Sequence, residues 1–152
     1  MIAGGTEVGA MSLRFRYSGM FVADVPATVS FYEKAFGFRL RYLHPSRGYA
    51  ELETGETLIA FVGDGFIEAA KLLGELSYAP NRPDADPCAF QLALVTDDMD
   101  RDWARALEAG ATILKAPEAK PWGQRTGYLR DCNGVIVELC TPSPRVQPGN
   151  SS

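Results

Sequence analysis

The feature that most constrains the fold of this chain is a repeat of pattern between its two halves. Asp24 and Asp98 both stand where a helix is expected to begin, 74 positions apart, and Tyr17 and Gln91 in the preceding apolar segments keep the same separation. Aspartate is a favoured N-cap because its carboxylate accepts hydrogen bonds from the free N–H groups of the first helical turn. A pattern that recurs at one offset indicates that a single structural unit is used twice.

Each unit is predicted to contain one strand, one helix and three further strands. In the first half, the strand 13–22 leads into a helix at 25–36, which Gly37 is placed to end. The strand-forming segments that follow, each separated from the next by turn residues, are 38–44, 48–54 and 57–63. The same order returns from residue 89. We therefore predict an α+β fold of two βαβββ modules, whose curved antiparallel sheets enclose a cleft.

The predicted boundaries divide one structural domain into five segments. They are a flexible N-terminal extension (1–12), the first module (13–63), a helical linker (64–88), the second module (89–142) and a flexible tail (143–152). The linker contains Phe66, Leu72, Leu73 and Leu76, which is more apolar surface than a solvated linker needs. This segment is therefore expected to cover a cleft or to pack on a second subunit.

Composition excludes several classes of function. No apolar run approaches the ~20 residues that cross a bilayer, and the first residues lack a basic and an apolar signal region. We therefore expect no membrane partner and a cytoplasmic location. The net charge of -4, with no clustered Lys or Arg, disfavours nucleic acid. Cys88, Cys132 and Cys140 match no zinc or redox spacing and are expected to be reduced thiols.

Three segments of the sequence resemble a known family. They are FVADVPATVSFYEKAFGFRL in the first module, and ALVTDDMDRDWARALEAGA with PWGQRTGYLRDCNGVIVEL in the second. Together they are similar to the vicinal oxygen chelate superfamily, which includes glyoxalase I, bleomycin-resistance proteins and extradiol dioxygenases. The resemblance covers about residues 13–142. It implies the paired-module fold, and it also implies a homodimer, because members of this superfamily often form one.

The resemblance also indicates where a metal ion would bind. In metal-using members, four strands each contribute one ligand, and these positions fall on Tyr17, Ile59, Gln91 and Glu138, with Ala60 as the alternative to Ile59. A phenol, an alkyl group, an amide and one carboxylate are a poor set for zinc, nickel or iron. His44, the sole histidine, is expected in an exposed loop. We therefore predict no metal and no cofactor.

Glu138 is the residue whose charge most needs an explanation, because it stands between apolar neighbours in a predicted strand. If residues 131–134 form the hairpin turn, Gly127 lies opposite Glu138, and Arg125 is a diagonal neighbour that can pair with its carboxylate. The predicted ligand-binding residues of the cleft are Tyr17, Phe21, Ile59, Phe61, Gln91, Trp122, Arg125, Leu129 and Glu138. The alternative is that the aromatic residues only fill the space between two sheets.

Three functions are compatible with this prediction. The first is a metal-free member of the superfamily that binds a small aromatic or planar organic molecule, an antibiotic or a metabolite, with Trp122 as a stacking wall. The second is a lyase, isomerase or oxygenase in which Glu138 is the catalytic general base. The third is a structural or regulatory domain that binds a partner through the apolar linker.

Overall fold

Residues 11–144 are described by a computed structural model, so most of the expected N-terminal extension and tail lies outside the described residues. The elements of the first half are β1 (Ser18–Val22), α1 (Val25–Phe36), β2 (Arg39–Leu43), β3 (Tyr49–Glu53), β4 (Leu58–Gly63) and α2 (Asp64–Ala70). Those of the second half are β5 (Gln91–Val95), α3 (Met99–Glu108), β6 (Thr112–Ala119), β7 (Arg125–Arg130) and β8 (Ile136–Cys140). This order confirms the predicted α+β fold.

The two sheets have the same topology, with strand orders β1-β4-β3-β2 and β5-β8-β7-β6. The sheets are mixed rather than antiparallel as predicted, because β1 runs parallel to β4 and β5 runs parallel to β8. The reason is the helical crossover, which returns the chain to the same end of the sheet so that the next strand repeats the direction of the first. Two hairpins then give the last strand that same direction.

The predicted capping residues stand at the ends of the two long helices. The Asp24 side chain accepts a hydrogen bond from Ala27 N at 3.0 Å, and Asp98 accepts one from Arg101 N at 3.1 Å. Gly37, with a φ of 73°, ends α1 in the left-handed conformation that glycine adopts without strain. The repeat inferred from the two aspartates is therefore a repeat of helix starts.

One core joins the two modules. It contains residues from both sheets and both long helices, with the Tyr32 ring of α1 packed on Phe61 of β4 at a centroid distance of 4.8 Å. Tyr32 Oη also donates a hydrogen bond of 2.5 Å to Asp131 in the β7–β8 turn. Burial and the neighbouring Asp131 carboxylate raise the pKa of Tyr32 well above its usual value, so its hydroxyl remains a donor. The second module is thereby bonded to the helix of the first.

The linker is helical only at its start. After α2 it continues without a helix or strand, and it is attached to the first module by side chains. Asn81 Nδ2 donates to the carbonyl of Phe21 at 2.9 Å, and Arg82 Nη1 lies 2.8 Å from Asp64 Oδ2. No helix among residues 11–144 is long and apolar enough to span a membrane.

Candidate functional site

The β7–β8 hairpin has a different register from the predicted one. Asp131 N donates to Val135 O at 2.9 Å, so the turn contains only residues 132–134, and Tyr128 rather than Gly127 lies opposite Glu138. The Asp131 carboxylate accepts hydrogen bonds from the backbone N–H groups of Asn133 and Val135, at 2.8 and 2.9 Å. These bonds favour a three-residue turn with Gly134 in the left-handed region. The predicted turn of residues 131–134 was one residue too long.

The register change moves two predicted residues away from Glu138. Leu129 pairs with Val137 on the face that α3 covers, and it is fully buried in the core rather than in a cleft. Arg125 does not pair with Glu138, because its Nη1 lies 2.9 Å from Asp100 Oδ1 on α3. A one-residue shift places every side chain of a strand on the opposite face.

Ile59 and Phe61 are also on the core face rather than in a cleft. The β1–β4 pairing places them beside Ser18 and Met20, on the side that α1 covers. The sequence LIAFVG is apolar on both faces of β4, so it carries no alternation from which the inward side can be predicted. The opposite side of this strand is formed by Ala60 and Val62.

We use the term second open face for the side of the β5–β8 sheet that α3 does not cover. Glu138 lies on this face, half-buried, and its carboxylate accepts a hydrogen bond of 2.9 Å from Gln91 Nε2. Ala93 is its neighbour on β5 and Tyr128 its neighbour on β7. Among the described residues, no Lys or Arg nitrogen lies within 4.0 Å of this carboxylate.

The first open face is the corresponding side of the β1–β4 sheet, and it contains a carboxylate that the sequence analysis missed. Glu51 on β3 is 7% exposed and accepts a hydrogen bond of 2.7 Å from Tyr49 Oη. Burial, followed by the hydrogen bonds to Glu51 and Tyr17, raises the pKa of Tyr49. Arg16 and Arg41 lie 3.7 and 3.9 Å from the Glu51 carboxylate.

The two carboxylates occupy different strands of equivalent sheets. In the first sheet Ala60 pairs with Gly19, and in the second sheet Glu138 pairs with Ala93. Gly19 and Ala93 are 74 positions apart, the same offset as the helix caps. Ala60 therefore holds the position equivalent to Glu138, and Glu51 is its neighbour across the strand pair. A glutamate between apolar strand neighbours was the signal that identified Glu138, and the same signal would have identified Glu51.

The residues at the four positions that correspond to metal ligands in the superfamily do not form a metal site. Tyr17 contacts Tyr49 on the first open face, whereas Gln91 and Glu138 bond each other on the second. With Ala60 in the fourth position, the donors are one phenol, one amide and one carboxylate, which do not fit a divalent ion. Within residues 11–144, no group of three His, Cys, Asp or Glu side chains is placed to hold one.

An aromatic pocket of about 270 Å³ lies where β1 approaches the segment before β5. It contains the predicted residue Phe21, together with Tyr78 and Phe90, and the rings of Phe21 and Tyr78 are 5.0 Å apart between centroids. Trp122 is elsewhere, in the β6–β7 loop, where its indole N–H donates to Gln124 at 2.8 Å and its side chain is 50% exposed. No hydrogen bond or ring contact among the described residues joins Trp122 to Glu138.

Comparisons with known proteins agree with this fold. The uncharacterized protein YwbC of Bacillus subtilis (strain 168) is 28% identical over 134 residues, which cover 85% of this chain and 98% of YwbC. This chain superimposes with a TM-score of 0.67 on the crystal structure of a glyoxalase/bleomycin resistance protein/dioxygenase family enzyme from Burkholderia phytofirmans PsJN. The two sequences are 24% identical, and the match covers 82% of this chain and 95% of that one. A glyoxalase-related enzyme from Fulvimarina pelagi gives a TM-score of 0.70 at 18% identity, covering 91% and 95%.

At these identities the solved structures establish the fold alone. The family assignment comes from the model of the Glyoxalase/Bleomycin resistance protein/Dioxygenase superfamily, which matches residues 14–139 and so spans both modules. The chain belongs to the glyoxalase/bleomycin resistance protein/dioxygenase superfamily.

Proposed function

We propose that this protein binds a small planar aromatic molecule that carries a positive charge, and that it does so without a metal ion. The observation that carries the proposal is Glu138, whose carboxylate is held by Gln91 and has no cationic partner among the described residues. A half-buried carboxylate in apolar surroundings is strongly stabilised by a charge-assisted hydrogen bond from a ligand. Gln91 orients this carboxylate without neutralising it.

Two aromatic surfaces are available to planar ligands, the aromatic pocket and the Tyr128 ring beside Glu138. Phe21, Tyr78 and Phe90 offer ring faces to a flat molecule, and ring stacking adds to the free energy of apolar burial. Val135, which immediately precedes β8, lines this pocket on the core side of the sheet, whereas Glu138 lies on the opposite face beside Tyr128 of β7. The ring on the Glu138 side of the sheet is therefore that of Tyr128, on which a planar cation bound by the carboxylate can stack.

We further propose that a second copy of the chain covers the second open face. On this face Gln91, Ala93 and Val95 are exposed, Val95 by 67%, and β5 is an edge strand of its sheet. Exposed apolar side chains beside unpaired backbone groups are typical of a surface that another chain covers. A homodimer would enclose the Glu138 carboxylate and increase its attraction for a cation.

We expect the protein to sediment as a dimer, and Val95→Glu to sediment as a monomer at the same concentration. The substitution places a charge in the centre of the proposed interface, where its desolvation opposes association. Sedimentation-velocity ultracentrifugation measures both states. The matched control is Glu108→Gln, an exposed change on α3, which should leave the dimer intact. A wild-type protein that remains monomeric at tens of micromolar would contradict the dimer.

Calorimetric titration with planar probes tests the ligand proposal. Proflavine, a planar cation, should bind more tightly than acridine, its neutral parent, and anthracene-9-carboxylate should not bind. Glu138→Gln should weaken proflavine binding by about tenfold, or ~1.4 kcal/mol, and leave acridine binding unchanged. Glu108→Gln is the control for loss of one negative charge at an exposed position.

Equal affinity for the three probes would refute charge recognition by Glu138. The same preparations should also be incubated with small carbonyl compounds. Turnover that is lost in Glu138→Gln would show that the carboxylate is a catalytic base and would replace the binding proposal by the enzymatic one.

A further inference from the structure

A second cavity lies outside both open faces, between α2 and the segment that follows it. Its volume is about 530 Å³, within the range of small-molecule sites. The segment 78–82 separates it from the aromatic pocket, with Pro80 and Arg82 lining this cavity and Ala79 and Asn81 lining the other. The two cavities are therefore distinct and share only the Tyr78 side chain.

One wall of this cavity is held in place by hydrogen bonds. The Asp64 carboxylate accepts from Tyr78 Oη and, at 2.8 Å, from Arg82 Nη1. Burial and the hydrogen bond to Asp64 raise the pKa of Tyr78 to about 12, so the phenol stays a donor at neutral pH. Asn81 in the same segment is bonded to β1 through the carbonyl of Phe21. This wall is thus formed before any ligand arrives.

Exposed charged side chains of both signs line the cavity, and within residues 11–144 they have no hydrogen-bond or ion-pair partner. Lys71, Glu68 and Glu75 take part in no side-chain hydrogen bond, and in no ion pair within 4.0 Å, among the described residues. Lys71 also has a φ of 50°, in the left-handed region that favours glycine. This is the conformation in which α2 ends, with the Lys71 N–H bonded to the carbonyls of Ile67 and Glu68, and it sets where the Lys71 side chain starts.

Apart from Gly74 and Ser77, the rest of the lining is aliphatic. Ile67 is buried, whereas Leu73 is 36% exposed and Leu76 is 70% exposed at the rim. A ligand with an apolar side chain would remove the two leucines from water. Besides the paired Asp64 and Arg82, the cavity therefore offers one unpaired cation, two unpaired carboxylates and an aliphatic surface.

We propose that this cavity binds an aliphatic α-amino acid as its zwitterion. The ligand carboxylate pairs with the Lys71 ammonium, the ligand ammonium pairs with Glu68 and Glu75, and the aliphatic side chain packs on Ile67, Leu73 and Leu76. A zwitterion matches both signs of charge, whereas a simple cation or anion leaves one of them repelled. This site is independent of the planar ligand proposed for the Glu138 carboxylate.

Isothermal titration with L-leucine tests the site. L-Leucine should bind saturably, whereas N-acetyl-L-leucine, L-leucinamide and glycine, which lack the ammonium, the carboxylate and the side chain respectively, should each bind at least tenfold more weakly. Lys71→Gln should weaken L-leucine binding by at least tenfold. Lys34→Gln, which removes an exposed lysine of α1, is the matched control and should bind as the wild type does.

A second variant addresses the backbone at residue 71. Lys71→Gly relieves the left-handed conformation and should raise the thermal midpoint while it removes L-leucine binding. Absence of saturable binding to the wild type, or equal binding of L-leucine and L-leucinamide, would overturn the proposal. Proflavine binding should be unchanged in Lys71→Gln, so failure of one site is distinguishable from failure of the other.

Discussion

Replacing Asp131 with alanine is expected to lower the free energy of unfolding by about 3–5 kcal/mol. Its carboxylate is 3% exposed and accepts hydrogen bonds from Tyr32 Oη, Asn133 N and Val135 N. The substitution leaves these three donors buried without an acceptor, and it removes a bond between the two modules. Urea denaturation followed by circular dichroism measures the loss.

Two further variants separate the possible causes of this loss. Asp86→Ala, in the exposed part of the linker, should change the free energy of unfolding by less than about 0.5 kcal/mol. Tyr32→Phe removes the bond to Asp131 but keeps the two backbone donors paired, so it should cost less than Asp131→Ala, and the two losses should not add in the double variant. Full additivity would show that Tyr32 and Asp131 do not stabilise each other.

The Gly127→Val variant is expected to lose about 2–3 kcal/mol of stability. A Cβ atom at this position would lie 2.6 Å from a ring carbon of Trp103 and 3.0 Å from Pro117 Cγ, so the indole cannot keep its place. The hairpin register predicted from the sequence had Gly127 opposite Glu138, on the face that no helix covers. The structure places it beneath α3, where only glycine fits. Chemical denaturation measures the effect.

The same substitution in a Trp103→Leu background tests whether the indole is the obstacle. Because the smaller leucine can make room, the added valine should cost less than about 1 kcal/mol there. Gly65→Ala is the control, since nothing lies within 4 Å of the added methyl group and no loss is expected. An undiminished cost in the leucine background would place the clash elsewhere.

The elements that depend on local sequence could be predicted. The residues Asp24, Gly37 and Asp98 mark helix ends through their own backbone preferences and nearest neighbours, and the structure confirms all three positions. The order of strands and helices followed from these marks, and the family from the three segments that resemble it. Glu138 lies on the face opposite to Val135, Val137 and Leu139, as their alternation with it predicts, and its role in binding stays a prediction.

The candidate site could be predicted only in part. Strand β4 is apolar on both faces, so its sequence does not distinguish the core side, which holds Ile59 and Phe61, from the side that holds Ala60. The partner of Arg125 depends on Asp100 of α3, 25 residues earlier in the chain. Glu51 was overlooked because the family pattern directs attention to β4 and not to β3.

The sequence by itself determined where helices begin and end, the repeat of one βαβββ unit and the superfamily. These features result from interactions between residues a few positions apart, which any segment of this sequence carries with it. The tertiary structure alone decided which side of β4 is buried, the register of the β7–β8 hairpin and the pairing of Glu138 with Gln91. Those outcomes depend on contacts between distant residues, such as Asp131 with Tyr32 across 99 positions, and they exist only once the two modules have packed.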